Sequence, residues 1–236
     1  MEPYVIKQGD YVARLAYKFG FDADEIWNDP ANGDLQALRK DQNILWPTDI
    51  LHIPDQVDKE PATFPLVTGQ TNTFVCDTPT VSITIKFTDT SLAGQPFTVP
   101  EVPSLTDQTT GADGSVTLPI PVTLDTFTIA FTQSGATFEF KPGGLDPMDT
   151  LSGVFQRLYN LGFLGDDASA DPLDVGEIRV ALRAFKALQS AGGSAPSGST
   201  DIDGDVDDGA QDNAGLSDDG TLDASTRSLL LEAYGS

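Results

Sequence analysis

The sequence predicts a multidomain α+β protein. Residues 1–58 read as a strand, helix, helix, strand module, 59–145 as an antiparallel β-sandwich, and 146–236 as a small three-helix domain with an acidic insertion at 192–223. Three observations carry that prediction. At 236 residues the chain exceeds one typical domain and has room for two or three compact units. Apolar residues recur at helical spacing at both ends of the chain and at strand spacing in the middle. Composition changes at two places, around Lys59-Glu60-Pro61, which reads as a linker, and at Gly143-Gly144.

In the first zone Tyr4-Val5-Ile6 reads as a strand and Gly9-Asp10 as a turn. Val12, Leu15, Ala16 and Phe19 then fall on one helical face, and Gly20 ends that helix. A second helix is expected around Asp24 to Asn28, breaking near Pro30, with a further turn at Leu35 and Leu38 before the strand Ile50-Leu51-His52-Ile53 and Pro54. The middle zone alternates as half-buried strands do, in Val81 to Phe87, Ser115 to Ile120 and Thr126 to Phe131. Turns at Ser91 to Gly94, Gly111 to Gly114 and Ser134-Gly135 separate these runs, and prolines 100, 103, 119 and 121 suit edges and loops. The last zone carries three helical stripes: Leu151, Val154, Phe155, Leu158 and Leu161; Ile178, Ala181, Leu182, Phe185 and Leu188; and Leu229, Leu230, Ala233 and Tyr234. A short internal repeat aligns Leu173-Asp174 leading to Phe185 with Leu222-Asp223 leading to Tyr234.

The charge balance narrows the function classes. With 13 basic against 36 acidic residues the net charge is -23, which argues against a nucleic-acid partner, because phosphate binding needs clustered Lys and Arg. An excess of Asp with few Lys suits solubility in brine or a cation-facing surface. The single Cys76 has no partner for an internal disulfide and reads as a small buried apolar residue. The start, Met1-Glu2-Pro3-Tyr4-Val5, lacks a basic and apolar leader, and no apolar run approaches the ~20 residues of a membrane span. The expectation is a cytoplasmic protein without membrane insertion, exported only as part of a larger apparatus.

The run Tyr4-Val5-Ile6-Lys7-Gln8-Gly9-Asp10, followed by Leu15-Ala16 and closing in Ile50-Leu51-His52-Ile53-Pro54, resembles the LysM family. The resemblance covers about a quarter of the chain. It implies a βααβ module that binds N-acetylglucosamine-containing glycans, chiefly peptidoglycan and chitin, in a shallow groove between two loops. Here those loops are Gln8, Gly9, Asp10 and Tyr11, and Asn43, Ile44, Leu45 and Trp46, continuing to Pro47. The sequence departs from the family pattern at Tyr11-Val12 and at Thr48-Asp49, and its inter-helix stretch is expanded around Pro30 and Gly33. Two uses are open to Tyr11 and Trp46: a ring face for a pyranose, or a cap on the helix entrance and a contribution to the core, respectively.

Leu158 to Phe163, Ala181 to Phe185, and Asp219 to Asp223 with Thr226 and Leu230 resemble the peptidoglycan-binding-like three-helix domain that wall hydrolases append. This second resemblance covers about a third of the chain, and departs at Phe185-Lys186 and at the acidic insertion. Together the two look like proteins associated with type VI secretion and related contractile injection systems, in which such modules act as connectors. The functional expectation is a non-catalytic assembly or adaptor protein whose partners are components of an injection apparatus. The alternative is a peptidoglycan-binding protein delivered to the wall.

Two further features bear on chemistry. Asp201, Asp203, Asp205 and Asp212 match part of a calcium-loop spacing, but Val206 stands where the sharp turn needs glycine, so no cofactor is expected beyond calcium as a candidate ion there. His52 is the only histidine and lies within a predicted strand, and no Gly-x-Ser-x-Gly elbow is present. Acids abundant enough for paired-carboxylate chemistry are present, but no segment suits a glycosidase cleft, so the expectation is that the protein is not an enzyme.

Overall fold

A computed structural model describes residues 2–55, 63, 65–73, 77–87, 89–165, 168, 173–190, 215–217 and 221–234. Cys76 and the four candidate calcium ligands Asp201, Asp203, Asp205 and Asp212 lie outside the described residues. The fold is mixed α+β, with antiparallel sheet pairings and six α-helices among the described residues. It divides into two compact units. The first comprises Met1–Ile83, Leu118–Phe127 and Glu139–Gly144; the second comprises Thr84–Thr117, Thr128–Phe138 and Leu145–Ser236.

In the first unit β1 (Glu2–Val5) pairs antiparallel with β2 (Ile50–Ile53), Val5 opposite Ile50 and Pro3 opposite His52. Backbone bonds from Ile6 N to Asp49 O (2.9 Å) and Thr48 N to Ile6 O (3.0 Å) extend the ladder past the strand ends. Helix α1 (Val12–Phe19) turns Val12, Leu15 and Ala16 inward, as the i, i+3, i+4 spacing predicts, and Gly20 ends it in the left-handed region at φ 75°. Helix α2 (Ala23–Trp27) is capped by the Asp22 carboxylate, which accepts from Asp24 N at 2.8 Å. A 3-10 turn at Pro30–Asn32 leads into α3 (Gly33–Leu38). Ile6, Leu15, Ile26, Leu35, Leu45 and Leu51 share the core, and each fully buried aliphatic side chain contributes about 2 kcal/mol of transfer free energy.

Asn32 ties α3 to β2. Only 1% exposed, it donates from Nδ2 to the His52 carbonyl (2.9 Å) and to the Ile26 carbonyl (2.8 Å), and accepts from His52 N–H at Oδ1 (2.7 Å). The amide thus stands in for a third strand beside His52. On the other side of the pair, Pro3 has no N–H to offer. Both edges of this two-stranded sheet are thereby blunted.

Seven-residue β3 (Thr80–Lys86) pairs with β6 (Ser115–Pro121). A second sheet runs in the order β5 (Gln108–Thr109), β4 (Pro96–Thr98), β7 (Phe127–Phe131), β8 (Thr137–Phe140), with β4 antiparallel to both its neighbours. Strand β7 alternates buried and half-buried residues along its length, the pattern its sequence carries. Phe131 meets Phe87, Phe97 and Phe138 with ring centroids 5.1, 5.9 and 6.0 Å away, an aromatic cluster within the second unit.

The second unit also holds α4 (Leu151–Asn160), α5 (Val175–Ser190) and α6 (Ala224–Tyr234) around a core of Phe155, Leu158, Ile178, Leu182, Phe185 and Leu230. The third predicted stripe needs correcting. Leu230 is buried and Ala233 packs against the core as that stripe predicts, but Leu229 is 37% exposed and Thr226, one turn before Leu230 on the same face, is buried in its stead. At the matching positions of the short repeat an aspartate accepts a backbone N–H before each helix, Asp174 from Glu177 N (3.3 Å) before α5 and Asp223 from Thr226 N (2.7 Å) before α6. Asp223 also accepts from the Ser225 and Thr226 hydroxyls, and this hydrogen bonding, Ser225 first, lowers its pKa to about 2.

Candidate functional site

The loops that sequence reasoning singles out lie at one end of the β1–β2 pair, joined by a bond from Val12 N to Gln42 O (3.1 Å). Their side chains are not alike in what they offer. In the first loop Gln8 is exposed and Gly9 makes the turn at φ 86°, with Asp10 N bonded to Lys7 O at 3.0 Å. The Asp10 carboxylate is used locally: Oδ2 accepts from the Tyr4 hydroxyl (3.0 Å) and from Lys7 N (2.9 Å). Burial raises the Tyr4 pKa, and the Asp10 bond adds to the rise.

Tyr11 is the N-cap residue of α1, but its side chain makes no capping bond and is 1% exposed. The ring turns inward. Its hydroxyl lies 3.4 Å from the carbonyl of Val122, the Arg14 guanidinium sits 5.3 Å from the ring centroid, and a Cβ added at Gly143 would fall 2.6 Å from Cδ1. That same Cβ would fall 2.7 Å from the Gly9 carbonyl, so residue 143 must be glycine, as its φ of 70° also requires. Burial raises the Tyr11 pKa, and the neighbouring Arg14 opposes the rise. Arg14 bonds the carbonyls of Val122 (3.1 Å) and Leu124 (2.5 Å) and pairs with Asp125 at 3.0 Å. Asp125 is 88% exposed, so the ion pair adds little and the carbonyl bonds do the holding. Val122, Leu124 and Gly143 therefore surround the Tyr11 side chain, and its ring face is not left open to a sugar.

The second loop is arranged differently. Asp41 organises it, accepting from Asn43 N at Oδ1 (2.7 Å) and from Ile44 N at its carbonyl (3.2 Å). Leu45 points into the core, 5% exposed. Asn43, Ile44 and Trp46 are half-buried. Two side-chain acceptors in this loop, Gln42 Oε1 and Asn43 Oδ1, are buried and find no hydrogen-bond partner among the described residues.

Just beyond lies a turn that sequence reasoning noted only as a departure from a pattern. Thr48 has φ 84°, a conformation rare for a β-branched residue. The turn is held by Asp49, whose carboxylate receives Arg39 Nε (2.8 Å), Arg39 Nη2 (3.2 Å) and Trp46 N (2.8 Å), while Asp49 N returns to Trp46 O at 3.0 Å. The two ion-pair partners are 6% and 7% exposed. Sequence reasoning missed Arg39 and Asn32. The only signal for the pair was an arginine ten residues before an aspartate, in a zone where acids are common.

His52 is half-buried in β2 and engaged through its backbone by Asn32. In the second unit Arg157 is 1% exposed and bonds the carbonyls of Asp146 (2.8 Å) and Gly153 (2.9 Å), with the Tyr234 ring 5.5 Å away; burial lowers its pKa. Among the described residues no group of three or more His, Cys, Asp or Glu is placed to hold a metal ion, and no helix is long and apolar enough to cross a membrane. Comparison with protein-family models, with curated proteins and with solved structures finds no match to this chain.

Proposed function

We propose that this is a non-catalytic assembly or adaptor protein of a bacterial contractile injection apparatus, of the type VI kind. In this reading it is built from a LysM-like βααβ module, a β-sandwich and a peptidoglycan-binding-like three-helix domain. The observation that carries it is the closed first loop. The Tyr11 ring is packed against Val122 and Gly143, so this side chain serves the protein's own architecture. The net charge of -23 supports the same reading, since peptidoglycan carries carboxylates and would be repelled at low salt. Co-expression with the spike and baseplate proteins of such an apparatus, followed by size-exclusion chromatography, tests it. Co-elution with one of them is expected, and separate elution from all of them refutes it.

A second reading, binding of an N-acetylglucosamine glycan, is favoured by the second loop. The half-buried Trp46 at this loop suits a ligand with an apolar ring face, while the neighbouring Gln42 and Asn43 side-chain oxygens are enclosed. Retention on purified sacculi across a salt series separates the two readings. Retention that is lost in Trp46→Ala supports the glycan, and no retention at any salt excludes it.

A further inference from the structure

We infer that Arg39 is a positioning residue for ligand capture at the second loop, acting through Asp49 on the backbone from which Trp46 projects. The inference rests on the second reading, that residues 42–46 meet a ligand.

Four observations converge on the turn Trp46–Asp49. It contains a β-branched residue in the left-handed region, Thr48 at φ 84°, a conformation that persists only where the surroundings impose it. The imposing group is the Asp49 carboxylate, which folds back onto Trp46 N at 2.8 Å and is itself clamped by the Arg39 fork at 2.8 and 3.2 Å. The clamp is sealed from water, its two side chains 6% and 7% exposed, so it is stiff in a way a surface ion pair is not. The residue it holds, Trp46, is half-buried, so part of its surface remains open at the end of this turn. A buried ion pair is weak support for stability when an apolar pair would serve. What the Arg39–Asp49 pair adds is a fixed direction: a planar fork against a carboxylate allows one geometry, which a lysine point charge does not. Preorganising an aromatic platform in this way raises affinity by removing the ordering cost at binding.

Two single-tryptophan chains make the test. With Trp27→Phe the remaining fluorescence reports Trp46, and with Trp46→Phe it reports Trp27, which packs against the core. Arg39→Lys keeps the charge and loses the fork; Asp49→Asn keeps an acceptor for Trp46 N–H and loses the ion pair. Both changes are expected to red-shift the Trp46 emission and lower its anisotropy while leaving the Trp27 signal in place. They are also expected to weaken binding of a tetramer of N-acetylglucosamine at least fivefold. Unaltered Trp46 emission and anisotropy in either folded variant overturns the positioning role. A wild-type chain that fails to bind the tetramer removes the glycan reading alone, and Arg39 is then judged by the two fluorescence signals.

Discussion

Replacing Asn32 with leucine keeps the branched shape of the side chain, at a larger volume, and deletes all three of its hydrogen bonds. The Ile26 carbonyl retains a bond from Asp29 N (3.3 Å), so the unmet groups are the N–H and C=O of His52, which Asn32 held at 2.7 and 2.9 Å. A buried backbone group left without a partner costs about 1–3 kcal/mol, and His52 is only half-buried, so the two together come to about 3 kcal/mol. Against the 5–15 kcal/mol typical of a domain this is a large fraction. In a unit of roughly a hundred residues about 4–8 °C of Tm accompanies each kcal/mol, which places the fall at about 12–24 °C. Both tryptophans, Trp27 and Trp46, belong to this unit, so thermal unfolding followed by tryptophan fluorescence reads it without interference from the other. Asn32→Asp should be as damaging near neutral pH, because a carboxylate oxygen would face the His52 carbonyl. A fall of less than about 4 °C in Asn32→Leu would refute the argument that this amide replaces a missing strand.

Other perturbations follow from the same geometry. Thr48→Gly removes the left-handed strain at φ 84° and should raise the Tm of the first unit by a few degrees, roughly 0.5–1 kcal/mol after the entropy cost of glycine; a lower Tm would show that Thr48 is unstrained. Gly143→Ala should cost about 3 kcal/mol, since its Cβ meets Tyr11 and Gly9, whereas Gly135→Ala, with similar φ and open space, should cost about 1; equal losses in chemical denaturation would remove the close-packing argument. Asp223→Ala should cost about 1 kcal/mol at pH 7 through the lost cap. The Asp223 pKa is lowered to about 2 in the fold, so that stability is present above about pH 4 and lost as pH falls toward 2. Acid titrations of wild type and variant by circular dichroism should therefore converge below about pH 2, and a constant gap down to that pH would count against the cap.

What was legible in the sequence was local. The α1 face of Val12, Leu15 and Ala16 and its stop at Gly20 follow from spacing within a few residues, as does the strand Ile50–Ile53. The middle strands were located within a residue or two, β3 beginning at Thr80 and β6 reaching Pro121. Three short strands, Pro96–Thr98, Gln108–Thr109 and Thr137–Phe140, were not seen, because two to four residues carry too little alternation to register. The two loops of the candidate site do come together, yet which rings face outward was hidden. Tyr11 is sealed by a carbonyl 111 residues away, and no pattern in its own segment reports that. Asn32 beside Gly33 reads as a turn, and only the folded position of His52 reveals the amide as a strand surrogate.

The cover over Tyr11 also sets an order of events during synthesis. Its hydroxyl and the Val122 carbonyl are separated by 111 positions, and at about 5–20 residues per second the ribosome needs roughly 6–22 s to supply the second after the first. Until Val122, Leu124 and then Gly143 emerge, the nascent N-terminal segment carries an apolar ring and an arginine whose partners do not yet exist. The Tyr11 loop is thus completed only by segments made well after it, and the loop closure that finishes it is a long-range step of the kind that slows folding.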